Sequence, residues 1–168
     1  MMKQSLPKTG VEIAALKSRP ELAPVFASWV YFEWSLPMRR NWADTCARYD
    51  PADDPDKLPA TFFAAIQGAP AGLASLRVSD SYDFLPGATP WICNVYVHEK
   101  ARGLGLAGSL CRHLCGHARR LGFDEVFLAT AVGENSLYHR LGFTEVSRVD
   151  YFGPKHVLRR HLADWAQD

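Results

Sequence analysis

The residues best suited to chemistry lie between 102 and 108, where an arginine precedes Gly103, Gly105 and Gly108. An apolar, strand-like run ends at Val97 before them, and a helix-like run follows them. Where a turn leads into a helix, the first backbone N–H groups have no partner in the helix, and the helix dipole favours a negative charge beside them. Glycine also lets a ligand approach the backbone because it has no Cβ. This stretch therefore predicts a site for a phosphate-bearing ligand.

The three glycines also match the G-x-G-x-x-G pattern of dinucleotide-binding proteins, but their context does not match. In that fingerprint the glycines follow the strand end directly, and an acidic residue ends the next strand about 20 residues later. Here the segment His98 to Arg102 separates the strand from Gly103, and Asp124 and Glu125 begin the next predicted strand. The Gly-Lys-Ser/Thr sequence of a P-loop does not follow the glycines either. Nicotinamide, flavin and P-loop nucleotide sites are therefore disfavoured.

The elements that position this turn predict a mixed sheet with helices on its faces. Hydrophobic spacing predicts a strand at 91–97, a helix at 106–121 and a strand at 125–130, which together form a parallel crossover. Alternating patterns predict the other strands at 11–16, 61–67, 71–79, 144–151 and 155–162. Helical spacing predicts further helices at 21–34, 38–49 and 136–141. Segment 50–59, with three prolines and four aspartates, and the polar, proline-bearing segment 81–90 are predicted to be loops.

Two motifs in this order of elements resemble those of one enzyme family. The first is Arg102-Gly103-Leu104-Gly105-Leu106-Ala107 after a strand that ends in valine. The second is Tyr138-His-Arg-Leu-Gly142-Phe143 after the next strand. Together they resemble the acetyl-CoA motif and the Tyr-x-x-x-Gly-Phe motif of the GNAT superfamily of N-acetyltransferases. The specific resemblance covers residues 90–146, and the rest of the chain is similar only in its order of elements.

The resemblance implies a fold of the mixed α/β class, of the α+β kind. We expect a GNAT-like central mixed sheet of about six to seven strands, flanked by about four helices. The whole chain, residues 1–168, is then a single acetyltransferase domain. Its acyl-CoA motif spans 91–121 and its C-terminal motif spans 125–143.

The resemblance also implies acetyl-CoA as the cofactor, with its pyrophosphate on the N–H groups of the turn and its pantetheine arm along the strand that precedes the turn. The residues expected to bind it are Val95, Tyr96, Val97, Arg102, Gly103, Leu104, Gly105, Leu106, Ala107 and Tyr138. The implied activity is acetyl transfer to a primary amine of a small molecule, or of a peptide, by direct attack in a ternary complex. The alternative is a non-catalytic acyl-CoA-binding or sensing domain on the same fold.

Tyr138 matches the family's general acid, which protonates the leaving thiolate. A phenol with a pKa near 10 is protonated at neutral pH and is able to donate to sulfur; the alternative is that the ring only packs beside the cofactor. The general base is less well defined. Glu33 near the end of the first helix is one candidate, Asp80 and Asp83 after the third strand are others, and ordered water is a further alternative.

The acceptor site is expected to contain Glu33, Trp34, Asn94 and Tyr151. Strand alternation places Asn94 and Tyr96 on the face opposite Cys93 and Val95, so that both line the cleft unless Tyr96 packs in the core. Trp34, Trp42 and Tyr151 with nearby acids suit a small cationic or aromatic amine, such as an antibiotic, a polyamine or an amino-acid derivative. The acceptor itself is not readable from the sequence, because the loops at 35–41 and 151–154 shape its site.

Cys111, His113, Cys115 and His117 suggest a metal site, but their spacing argues against one. Helical positions two apart are rotated by about 200°, so the cysteines and the histidines face opposite ways. The cysteines are expected to be core residues and the histidines surface residues. No metal is expected.

The composition gives no indication of a nucleic-acid or membrane partner. The formal net charge is +1, from 19 basic and 18 acidic residues, which gives no general attraction to nucleic acid or to an anionic membrane. The chain has no apolar run of about 18 residues, so no membrane span is expected. Four scattered cysteines and a start without a secretion signal favour a cytoplasmic protein with reduced thiols. A homodimer is one of the assemblies that the sequence allows.

Overall fold

A computed structural model describes residues 10–165. The first nine residues, where no secretion signal is predicted, lie outside this range. The strands described are β1 Val11–Ala15, β2 Ala60–Ile66, β3 Ala69–Arg77, β4 Trp91–Val97, β5 Glu125–Thr130, β6 Thr144–Asp150 and β7 Pro154–His161. The helices described are α1 Ala23–Val30, α2 Trp42–Ala47, α3 Leu106–Arg120 and α4 Leu137–Arg140. The predicted class, a mixed sheet flanked by helices, is confirmed.

The strands form one seven-stranded sheet in the order β1-β2-β3-β4-β5-β7-β6. Every neighbouring pair is antiparallel except β4 and β5, which are parallel and are connected through α3. The predicted crossover over residues 91–130 is thus confirmed. A parallel pair requires such a long connection, and here the connection contains the glycine turn.

Alternation along the strands divides the core between the two faces of the sheet. In β2, Phe62 and Ile66 pack with α3, whereas Phe63 packs with α1. The face of α3 that the sequence predicts to be apolar is buried, with Leu110 and Leu114 fully inaccessible to solvent. The sheet is therefore covered by α3 on one side and by α1 and its neighbours on the other.

The region after α1 departs from the sequence prediction. The first helix, predicted at 21–34, ends within one residue of its predicted end, but its last turn, Tyr31–Ser35, is π-helical. The next helix, predicted at 38–49, is shorter because Asn41 caps it: its side-chain oxygen accepts a hydrogen bond from the N–H of Asp44 at 2.7 Å. Among the residues described, no helix has both the length and the apolar character needed to cross a bilayer.

Strand β4 contains a bulge at Asn94. Cys93 pairs with Ser75 and Tyr96 pairs with Leu73, so two residues of β4 lie opposite one residue of β3. Asn94 has a φ of +53°, a left-handed conformation that asparagine tolerates better than most residues. A bulge bends its strand and changes which face each later side chain occupies.

Beyond its first residue, β4 has no partner strand on the β5 side. The two strands pair only between Trp91 and Phe127, so their carboxyl ends diverge. The backbone of β4 from the bulge onwards is thus left free along one edge. This gap positions the candidate site.

The close approach of β3 and β4 explains why residue 72 is glycine. A Cβ at Gly72 would lie 2.6 Å from the backbone oxygen of Tyr96 in β4, closer than any normal contact. We expect Gly72→Ala to lower the free energy of unfolding by about 1–3 kcal/mol, measured by urea denaturation. Gly116→Ala is the matched control, because a Cβ there meets its nearest atom, Trp165 Nε1, at 3.6 Å within a helix and should raise stability by up to about 1 kcal/mol. Equal stability of the two variants would contradict the close approach of β3 and β4.

Candidate active site

The gap between β4 and β5 opens into a cavity of about 370 Å³. Its lining comes from the end of the first helix and the loop after it, from the end of α2, from the loop after β3, from β4, from β5 and the residues after it, and from α4, the β6–β7 turn and the start of β7. The predicted site residues that line it are Glu33, Trp34, Asp80, Asn94, Val95, Tyr138 and Tyr151. Segments more than 100 residues apart in sequence therefore meet at one place.

Tyr138 contributes a proton donor to the cavity. It lies in α4, a single helical turn, and its ring packs edge-on against Phe143 with the centroids 6.2 Å apart. Burial, with a smaller effect from Cys111, raises the pKa of the Tyr138 phenol above its ordinary value. The phenol is therefore protonated throughout the neutral range, as a general acid must be before it acts.

Two carboxylates, Glu33 and Asp80, reach the same cavity. Glu33 is exposed and lies in the π-helical turn, a local widening of the helix that is frequent at functional sites. Asp80 is half-buried, and its Oδ1 accepts hydrogen bonds from the backbone N–H of Ser81 at 2.6 Å and from the Ser81 hydroxyl at 3.1 Å. Asp83, the third acid considered from the sequence, is exposed and does not line the cavity.

Cys93 also lines the cavity but is a poor nucleophile. Burial, reinforced by the nearby carboxylate of Asp80, raises the pKa of the Cys93 thiol well above its ordinary value. The reactive form of cysteine is the thiolate, which this environment disfavours at neutral pH.

A buried network holds the bulge of β4 in place. The Tyr49 hydroxyl donates to Asn94 Oδ1 at 3.1 Å. The Arg77 guanidinium lies over the Tyr49 ring, 5.5 Å from its centroid, and donates to the carbonyl oxygen of Arg48. Burial raises the pKa of Tyr49 and lowers that of Arg77. Tyr49 therefore fixes Asn94, and Arg77 fixes the backbone of Arg48, both at the cavity wall.

The glycine turn lies outside the cavity, at the start of α3. Gly103 and Gly105 have φ angles of +82° and +80°, and no atom lies within 4 Å of the place where a Cβ would be. Within the described range, the backbone N–H groups of residues 103–108 donate to no backbone acceptor. Arg102 donates from its Nε to the Val97 carbonyl at 3.1 Å, which holds the turn against the end of β4. The predicted anion site is therefore an open row of donors that side chains do not obstruct.

The comparisons with known proteins agree with this geometry. The family model described as the acetyltransferase (GNAT) family matches residues 26–143, more than half of the chain. The chain belongs to the GNAT acetyltransferase family. The resemblance inferred from the two sequence motifs is thereby confirmed. No curated protein sequence is significantly similar to the chain.

Solved structures share the GNAT fold at low sequence identity. An N-acetyltransferase from Staphylococcus aureus Mu50 is 15% identical with a TM-score of 0.67, over 92% of this chain and 99% of that one. YncA from Salmonella typhimurium, solved with its cofactor acetyl-CoA, is 21% identical with a TM-score of 0.65, over 94% and 96%. An aminoglycoside 6'-N-acetyltransferase complexed with coenzyme A is 13% identical with a TM-score of 0.67, over 94% and 99%. At these identities the likeness shows the fold.

One prediction about β4 in this GNAT chain is wrong. Simple alternation places Asn94 and Tyr96 opposite Cys93, but the bulge inserts a residue and moves Tyr96 to the same face as Cys93. Val95 packs on the α3 side. Tyr96 stacks on Trp29, with the centroids 5.3 Å apart, so its ring belongs to the core and does not line the cavity. Its predicted part in binding the cofactor, like that of Val97, rests on the backbone alone.

Three basic residues that sequence reasoning did not place in the site also line the cavity: Arg40, Arg48 and Lys155. Arg40 lies in the loop at 35–41 that the sequence marked as shaping the acceptor site, and its guanidinium hydrogen-bonds the Tyr151 hydroxyl at 2.5 Å. For Arg48 and Lys155 no local motif gives a signal.

The histidines of α3 differ from expectation. His117 is buried, not on the surface, because loop 50–59 covers it and the carbonyl oxygen of Pro55 lies 2.6 Å from its Nε2. His113 packs on Phe62, and burial lowers the pKa of His113 to about 4. Cys111 and Cys115 are core residues as predicted. No cluster of three or more residues positioned to hold a metal ion occurs between residues 10 and 165.

Proposed function

We propose that this chain is a single-domain N-acetyltransferase that moves an acetyl group from acetyl-CoA to a primary amine of a small molecule, by direct attack in a ternary complex. The observation that carries the proposal is the gap between β4 and β5. The gap runs along β4 towards Val97, against which Arg102 holds the turn with its open N–H groups at residues 103–108. The cavity into which the gap opens contains Tyr138 and two carboxylates. Family membership and the acetyl-CoA and coenzyme A held by two relatives support it.

The residues present suit acetyl-CoA in charge and in shape. The turn offers unpaired N–H donors and a helix dipole to the pyrophosphate. The free backbone edge of β4 at 95–97 offers hydrogen-bonding groups to the amides of the pantetheine arm, as an added strand would use them. Acetyl-CoA would supply an activated acetyl group and a thiol leaving group.

The cavity supplies the proton transfers. An attacking amine must lose a proton, and Glu33, Asp80 or a water held by them accepts it. As the carbon–nitrogen bond forms and the carbon–sulfur bond breaks, the Tyr138 phenol donates its proton to the sulfur. Cys93 supports direct attack over an acyl-enzyme route, because its raised pKa keeps it in the unreactive thiol form.

Release of free coenzyme A thiol tests the proposal. The full chain is mixed with acetyl-CoA, first alone and then with a panel of primary amines. We expect thiol release only when an amine is present, without a stoichiometric burst in its absence. A burst with acetyl-CoA alone would contradict direct attack. Saturable acetyl-CoA binding without thiol release for any amine would instead identify a non-catalytic acyl-CoA-binding or sensing domain.

A further inference from the structure

The cavity contains more basic than acidic side chains. Arg40, Arg48 and Lys155 line it together with Glu33 and Asp80. The sequence alone suggested acids and aromatic rings, and therefore a small cationic or aromatic amine such as an antibiotic, a polyamine or an amino-acid derivative. A purely cationic amine would have to enter a cavity in which positive charges outnumber negative ones.

Within the part of the chain that the structure describes, none of these five charged side chains takes part in a salt bridge. The three cations are half-buried, and the one side-chain hydrogen bond among them joins Arg40 to the Tyr151 hydroxyl. Arg77, which is buried and carries no salt bridge in this range, lies behind Arg48 and donates to its carbonyl. A half-buried cation without a carboxylate partner is stabilised when an anionic ligand supplies one.

The phosphates of acetyl-CoA do not explain these cations. The turn that suits the pyrophosphate, residues 103–108, contributes nothing to the lining of this cavity. The part of acetyl-CoA that must reach Tyr138 is the thioester, which carries no charge. The anion must therefore belong to the acceptor.

We propose that the acceptor is an amine that also carries a carboxylate, of the size and type of a free amino acid. Arg40, Arg48 and Lys155 hold the carboxylate, and the amino group faces the acids Glu33 and Asp80. Trp34, Met38 and Phe84 supply an apolar wall for the remaining side chain. A cavity of about 370 Å³ suits a small molecule of this kind. This assignment rests on the proposed function and separates the acceptor from polycationic amines.

The first test compares acceptors that differ only in the carboxylate. Each of the standard L-amino acids is assayed for thiol release beside its carboxamide and its decarboxylated amine. Loss of a charge-assisted contact weakens binding by about 1.5–3 kcal/mol, so we expect at least one amino acid to exceed both analogues about tenfold or more in kcat/KM. Thiol release that is equal or faster with the carboxamides or the decarboxylated amines would overturn the assignment.

The second test locates the carboxylate. Arg40→Gln should lower kcat/KM for the preferred amino acid about tenfold while changing that for its carboxamide less than about twofold. Arg39→Gln is the matched control, because Arg39 is the adjacent, exposed arginine and does not line the cavity. It should leave both values unchanged. If Arg40→Gln lowered kcat/KM equally for the amino acid and for its carboxamide, Arg40 would not bind the carboxylate.

A binding measurement separates failure of this assignment from failure of the proposed function. The amino acids and their carboxamides are titrated against the chain saturated with coenzyme A, and the shift in Tm is recorded. A saturable rise in Tm with an amino acid only, without turnover, would refute the enzyme and retain the carboxylate site. No rise with any amino acid, or the same rise with its carboxamide, would refute the site.

Discussion

Tyr138→Phe should lower kcat about 100-fold or more and leave the KM for acetyl-CoA nearly unchanged. The variant removes only the phenolic oxygen, so the edge-on contact with Phe143 remains and the cavity keeps its shape. What it loses is the proton that the departing sulfur needs in the transition state, an interaction that substrate binding does not use. Steady-state kinetics by thiol release, with the amine at saturation, measure both constants.

Tyr31→Phe is the control for this variant. Tyr31 is a half-buried tyrosine whose ring packs on Phe32 and Trp42 and which does not line the cavity. It should keep full activity, and both variants should keep the stability of the parent chain to within about 0.5 kcal/mol. If Tyr138→Phe turned over as fast as Tyr31→Phe, Tyr138 would only pack beside the cofactor.

The role of Tyr138 as general acid also predicts how kcat depends on pH above neutrality. A general acid acts only while it is protonated, and burial raises the pKa of the Tyr138 phenol above its usual value near 10. The parent chain should therefore show no loss of kcat from deprotonation of Tyr138 between pH 7 and about 10. A fall in kcat as the pH rises within that range, if it disappears in Tyr138→Phe, would show that the phenol titrates earlier than its burial allows.

The turn and its flanking elements were readable from the sequence because local signals define them. The strand Trp91–Val97 and the strand Glu125–Thr130 have the predicted bounds. The helix between them, Leu106–Arg120, differs from the prediction by one residue. Glycines and apolar runs of clear period mark these boundaries. The predicted bounds agree with the structure because the apolar residues that give the period are the ones that the core buries.

The bulge of β4 was not readable, because it depends on two strands at once. Asn94 alone carries no signal for it, and only the pairing with β3 shows that one residue too many lies between Cys93 and Tyr96. Gly72 in β3 is a second feature that depends on both strands, since its missing Cβ allows the Tyr96 carbonyl to approach. The basic residues of the acceptor site could not be predicted from the sequence for a related reason. Arg40, Arg48 and Lys155 come from separate segments, and only tertiary packing brings them to one cavity.

The second large effect is expected at the turn. The double variant Gly103→Ala/Gly105→Ala should raise the KM for acetyl-CoA about 50-fold with little change in kcat. Each glycine now faces open space, and each new Cβ would occupy room that a phosphate needs in order to reach the N–H groups of 103–108. Titration of acetyl-CoA at a saturating amine concentration measures the change.

Alanine at these positions has two effects: it strains the backbone, and its Cβ obstructs the phosphate site. A matched double variant that introduces only the strain separates the two. Gly68 and Gly122 also have positive φ angles, +79° and +91°, and also meet no atom within 4 Å. Gly68→Ala/Gly122→Ala should therefore cost a similar amount of stability, about 1 kcal/mol per site, because alanine disfavours positive φ in every setting. It should leave the KM for acetyl-CoA unchanged, because neither residue lies at the start of α3. If both double variants raised that KM equally, the turn would have no direct contact with the phosphates.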